Sequence, residues 1–103
     1  MAGRIRVRAQ LSDGVTEVKA LMRHPMETGL RKDADGNAIP ANFITEVTAT
    51  HNDRVVMQAF WGASVSQNPF LACRFSGGAV GDEVTVNWVD NLGETGTGTT
   101  NIR

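Results

Sequence analysis

A chain of 103 residues makes one domain, long enough to bury about 60–70% of its unfolded surface in a single core without staples. Apolar residues at 41%, charged residues at 20% and a formal net charge of −1 describe an ordinary globular chain and leave no bulk electrostatic case for nucleic-acid or membrane binding. A single cysteine excludes an internal disulfide and does not decide the redox compartment.

The first residues alternate charged and apolar types and hold no apolar block of the kind found in a signal peptide or spanning helix, which read alone predicts the cytoplasm. Ile5, Val7, Ala9 and Leu11 alternate with Arg4, Arg6, Arg8 and Gln10, the period-two pattern of a strand with one buried face and one wet, basic face. Asp13-Gly14 turns it, and residues 15–21 return, with Glu17 and Lys19 pointing away from Val18 and Ala20.

Residues 24–40, His-Pro-Met-Glu-Thr-Gly-Leu-Arg-Lys-Asp-Ala-Asp-Gly-Asn-Ala-Ile-Pro, then form a loop longer than joining two strands requires. Met26, Leu30 and Ile39 are its expected apolar anchors, and its two prolines restrict the backbone, so the loop is expected to be ordered.

Residues 43–51, rich in β-branched types, turn at Asn52-Asp53 into residues 54–61, a second hairpin. Residues 62–69 read as a loop and 70–75 as a strand; Gly77-Gly78 and Gly81-Asp82 bracket the turn into residues 83–90. The closing Gly-Thr segment can form a seventh, edge strand or fray. No window has a sustained 3.6-residue apolar period. The expected fold is therefore all-β, an immunoglobulin-like antiparallel β-sandwich of about seven strands, with Trp88 beside Val84 and Val86 as its core aromatic.

Few residues offer chemistry. In the strand 70–75, Arg74 belongs outside, which turns Cys73 inward beside Leu71 and Phe75 as a packed thiol without the exposed, electropositive setting that reactivity requires. His24, Glu27 and His51 are the one set with metal-ligand types, three ligands if the second imidazole converges on the first; a hydrogen-bonded loop histidine and a solvated turn histidine are the plainer readings. Met22, Met26 and Met57 read as packing rather than copper ligands. Ser12, Ser64, Ser66 and Ser76 lie in no nucleophile motif, and the paired glycines precede no helix that could cradle a phosphate. Nothing here indicates an enzyme, and no cofactor is expected.

The 24–40 segment, with Ala41-Asn42-Phe43-Ile44, the run Trp61-Gly-Ala-Ser-Val-Ser-Gln-Asn-Pro-Phe70 and Trp88-Val-Asp-Asn-Leu-Gly93, resembles the SoxZ family along nearly the whole chain. The resemblance implies a non-catalytic subunit of a SoxYZ-type sulfur-carrier heterodimer in thiosulfate oxidation. Its partner would be a SoxY-like protein whose C-terminal arm bears the sulfur-carrying cysteine, and the Sox enzymes would act on that cysteine. It also implies a periplasmic protein exported with its partner, against the reading of the N-terminus alone, and neither nucleic acid nor membrane as a partner. The expected docking residues are His24, Met26, Glu27, Arg31 and Lys32 in the long loop, with Phe60, Trp61 and Phe70 as aromatic anchors flanking the 62–69 loop. Arg31 and Lys32 could attract an anionic sulfur adduct, or could be surface charges neutralised by Asp33 and Asp35. The alternative is a small β-sandwich metal or redox protein using His24, Glu27 and His51.

Overall fold

Seven strands account for the period-two segments of the sequence in a computed structural model that describes residues 3–103, the side chains from Ile5 onward. They are β1 (Gly3–Ser12), β2 (Val15–Met22), β3 (Ile44–His51), β4 (Arg54–Phe60), β5 (Phe70–Ser76), β6 (Glu83–Asp90) and β7 (Thr95–Asn101). The Arg4 side chain of the expected basic strand face lies outside the described residues. Both hairpin turns are of the kind their residues favour. Asp13 and Gly14 have φ of +51° and +77°, and Asn52 and Asp53 have +48° and +67°, the left-handed pairs whose twist matches the flanking strands.

The strands form two antiparallel sheets of an immunoglobulin-like sandwich, in the continuous order β4-β3-β6-β7-β1-β2-β5. β1 joins the two: it pairs antiparallel with β2 along its length, while its first residues run parallel to β7, Gly3 opposite Gly96 and Arg4 opposite Thr97. Backbone bonds from Leu11 N–H to Arg103 O and from Arg103 N–H to Ala9 O, 2.9 and 3.0 Å, carry the seam to the other end of β1. Between the sheets lie Ile5, Ala9, Val18, Ala20, Met22, Ile44, Val47, Ala49, Val84, Val86 and Trp88. Glu17 and Lys19 point away from Val18 and Ala20, and Trp88 continues the face of Val84 and Val86, as the alternation predicts.

The seventh strand corrects one expectation. It does not fray and is not an edge; it runs between β6 and β1, and the edges are β4 and β5. Its glycines read as weak strand formers, yet they permit close approach. A Cβ on Gly96 would fall within the Trp88 indole, and one on Gly98 would fall on the Ile5 carbonyl. The segment is a strand because its neighbours fill the places where side chains would be.

Candidate functional site

The long loop is an ordered arm with its own backbone pairing. At its base Glu27 and Asn42 exchange two backbone hydrogen bonds of 2.6 and 2.9 Å; further out Ile39 N–H donates to Arg31 O at 2.8 Å and Asp33 N–H to Asn37 O at 2.9 Å. At the tip the Asp33 carboxylate accepts the N–H groups of Asp35 and Asn37, and Gly36 takes a φ of +82°. The expectation of order thus holds, but one anchor does not. Leu30 is 86% exposed, because its N–H is turned back onto Thr28 Oγ1 and its side chain leaves the body. Met26 is the anchor: buried, held at a φ of +48°, with Ile44 N–H donating to its Sδ at 3.3 Å. A left-handed non-glycine residue costs roughly 1–3 kcal/mol and persists only where its surroundings hold it.

Those surroundings begin with His24. Its side chain is 2% exposed, and Nδ1 accepts the Met26 N–H at 3.0 Å, so the ring proton sits on Nε2 and is donated to Asp90 Oδ2 at 3.0 Å. The other Asp90 oxygen accepts the N–H groups of Leu92 and Glu94, 3.0 and 2.9 Å away. The His24 main chain exchanges hydrogen bonds with Asn68, and the ring meets Trp88 edge-on at a centroid distance of 4.9 Å. His24 therefore ties the arm to the end of β6 through its imidazole and to the 61–69 loop through its main chain. It is the hydrogen-bonded loop histidine of the plainer reading.

Among the docking candidates, Arg31 is not neutralised by Asp33 or Asp35. It forms a two-pronged pair with Glu27, Nη2 to Oε1 at 2.9 Å and Nε to Oε2 at 3.1 Å, which raises the guanidinium pKa. Lys32 is exposed beside it with no acidic partner among the described residues. The arm's exposed outer part therefore presents Leu30, Arg31 and Lys32, while His24 and Met26 are buried at its root.

The aromatic anchors do not form one patch. Phe60, 74% exposed, lies on the outer face of the β4-β3-β6-β7 sheet in a row with Glu46 and Val89; Phe70, 61% exposed, lies on the outer face of β1-β2-β5 beside Leu21. Trp61 is half-buried against the core. The 61–69 loop crosses from one sheet to the other and so separates the residues it flanks.

The three ligand candidates are also apart. His24 bonds Asp90 at the end of β6, whereas His51 pairs with Val84 near its start, about 20 Å away by strand rise. Among the described residues no three His, Cys, Asp or Glu side chains gather as a metal would need. His51 is no solvated turn residue either: its Nε2 lies 2.7 Å from Asp82 Oδ2 and its ring leans on Phe75. That bond, with the Ala79 N–H, holds the Asp82 carboxyl below its usual range against the opposing effect of desolvation. Cys73 faces inward beside Leu71 and Phe75 as expected; it is half-buried on an edge strand, and burial pushes its thiol pKa up.

One grouping escaped the sequence reading. Arg6 and Arg8 were legible as a wet strand face; the β1-β2 hairpin register sets them beside Leu21 and Lys19, and the long-range pairing of β2 with β5 adds Phe70, which alternation within one strand does not reveal.

A family model described as sulphur oxidation protein SoxZ matches residues 5–101. No curated protein matches the sequence closely enough to count as a relative. Among solved structures, the chain is similar to hypothetical protein PH1083 from Pyrococcus horikoshii OT3, with a TM-score of 0.68 at 10% identity over 96% of this chain and 87% of that one. A superoxide reductase in the oxidized state gives 0.67 at 9% identity, covering all of this chain and 90% of the other. A superoxide reductase (neelaredoxin) variant from Archaeoglobus fulgidus, in the reduced form, gives 0.62 at 18% identity, over 97% and 86%. At such identities these likenesses show the fold alone.

Proposed function

The chain belongs to the SoxZ family and so to sulfur oxidation by the Sox system, and we propose that it is the non-catalytic subunit of a SoxYZ-type carrier heterodimer. The family match over residues 5–101 carries this reading. Its partner is a SoxY-like chain that holds sulfur on a cysteine arm, and the heterodimer works in the periplasm, exported with that partner. The half-buried Cys73, with its raised thiol pKa, supports a covalent role for the partner's cysteine rather than for this one.

Two surfaces fit the work of a carrier subunit. The outer face of the β4-β3-β6-β7 sheet is rich in threonine and asparagine and carries the exposed Phe60 and Val89, a low-charge surface suited to a lasting partner. The arm offers Leu30, Arg31 and Lys32 at fixed positions, where enzymes that act on the partner's cysteine would dock.

Co-expression with a cysteine-armed SoxY-like chain should give one species in gel filtration at micromolar concentration; separate elution refutes the heterodimer. Reversing Arg31 and Lys32 to Glu should slow turnover of the assembled carrier at low ionic strength, with a difference that shrinks as salt screens it. Equal rates at low salt would make the pair ordinary solvated charges.

A further inference from the structure

The near-neutral net charge conceals a strongly uneven distribution. Arg6, Arg8, Lys19, Arg23 and Arg74, five of the ten cations, lie on or immediately beside the outer face of β1, β2 and β5, where the strands carry one carboxylate, Glu17; the rest of the sequence holds five cations and ten carboxylates. Glu17 is already engaged by Arg74 at 3.1 Å and Lys19 at 3.6 Å, and the bond to Arg74 holds its pKa below the usual range. Arg6, Arg8 and Arg23 have no acidic partner among the described residues. Register places Arg6, Leu21 and Phe70 in one row across the three strands and Arg8, Lys19 and Ala72 in the next. Arg6, Arg8, Lys19, Leu21 and Phe70 line one shallow depression, and Arg23 joins Arg6 and Leu21 around another.

We propose that this face docks an acidic protein surface, one that sets carboxylates against Arg6, Arg8, Lys19 and Arg23 and an apolar side chain against Leu21 and Phe70. Residues two apart on a strand are about 7 Å apart and neighbouring strands about 5 Å, within the ~8–10 Å screening length of physiological salt, so the cations act as one field. Arginine around an exposed aromatic is the composition of protein recognition sites. A nucleic acid would meet the excess of carboxylates elsewhere on the chain. The charge density also argues against burial in a permanent subunit interface, which is more apolar, and for a partner that comes and goes. The proposal rests on the carrier reading in that it assigns the visiting proteins a second surface beside the arm.

The test titrates the isotope-labelled full chain, alone and in the heterodimer, with a short peptide alternating Glu and Leu. Amide shifts should centre on residues 6, 8, 19, 21, 23 and 70, fade as salt rises, and persist in the heterodimer. Arg6→Glu with Arg8→Glu should weaken binding about tenfold or more, and the milder Arg6→Gln with Arg8→Gln by less, while Arg54→Glu at the β3-β4 turn changes nothing. Shifts centred elsewhere, equal binding of a Gln-Leu peptide, or tighter binding of a single-stranded oligonucleotide of equal charge would each overturn the proposal. So would loss of the signal in the heterodimer, which would assign the face to the subunit interface. If the wild-type chain fails to assemble with a cysteine-armed partner, the carrier reading falls, and the titration of the chain alone still decides whether this face binds acidic protein.

Discussion

Replacing His24 by alanine removes the side chain that fastens the arm to the end of β6, and the structure fixes what is stranded. Asp90 Oδ2 loses its donor while remaining buried, and Met26 N–H loses its acceptor at a residue already held at a positive φ. Each unsatisfied buried group costs roughly 1–3 kcal/mol, more where the group is charged. The edge-on contact with Trp88 is also lost. Because Asp90 keeps two backbone donors on its other oxygen, the lower half of the roughly 2–6 kcal/mol summed over the two stranded groups applies, and His24→Ala should destabilise the chain by about 2–4 kcal/mol. That is a large share of the roughly 5–15 kcal/mol available to a domain of this size. Urea unfolding at constant m-value measures it, and hydrogen exchange should show the Glu27 and Asn42 amides losing protection before those of β2 and β6. A loss under about 1 kcal/mol with Glu27 and Asn42 still protected would refute the assignment of His24 as the fastening of the arm.

Gly96→Ala forces a methyl into the Trp88 indole and should cost about 1–3 kcal/mol by urea unfolding, whereas Gly36→Ala, with open space around it, should show only the smaller strain of its φ of +82°. Asp82→Asn should remove an acid-side dependence of stability. The carboxyl's folded pKa lies below its unfolded value, so its contribution is present above the ordinary carboxylate range and is lost as pH falls through the lowered value; melting curves of wild type and variant should therefore converge in acid. Cys73→Ala should cost about 1 kcal/mol through lost packing and leave carrier turnover intact; sulfur found covalently bound to Cys73 after turnover would contradict its structural role.

Where function rests on alternation along one strand, it could be read from the residues: the phase of Cys73, the inward Trp88 and the two left-handed hairpin turns follow from local pattern. The arm's length and order were legible too, from its prolines and apolar residues. What escaped was set by partners distant in sequence. The fate of Leu30 depends on a turn made by Thr28, the pairing of Arg31 on Glu27 rather than on the adjacent aspartates, and the burial of His24 on a carboxylate at the far end of β6. The Gly-Thr segment was open between an edge strand and a frayed end, and only the positions of Trp88 and Ile5, distant in sequence, explain its interior place in the sheet.

The seam between β1 and β7 bears on the order in which the molecule is made. β1 meets β2 within a few residues of synthesis, but its other flank stays open until Gly96 and Thr97 are available, nearly the whole chain later. Pairings of such separation form slowly, since the intervening chain must first be confined. The β1-β2 and β3-β4 hairpins can therefore form before the last strand is made, while closure of the sandwich waits for β7, and until then the second edge of β1 is open to pairing with another chain.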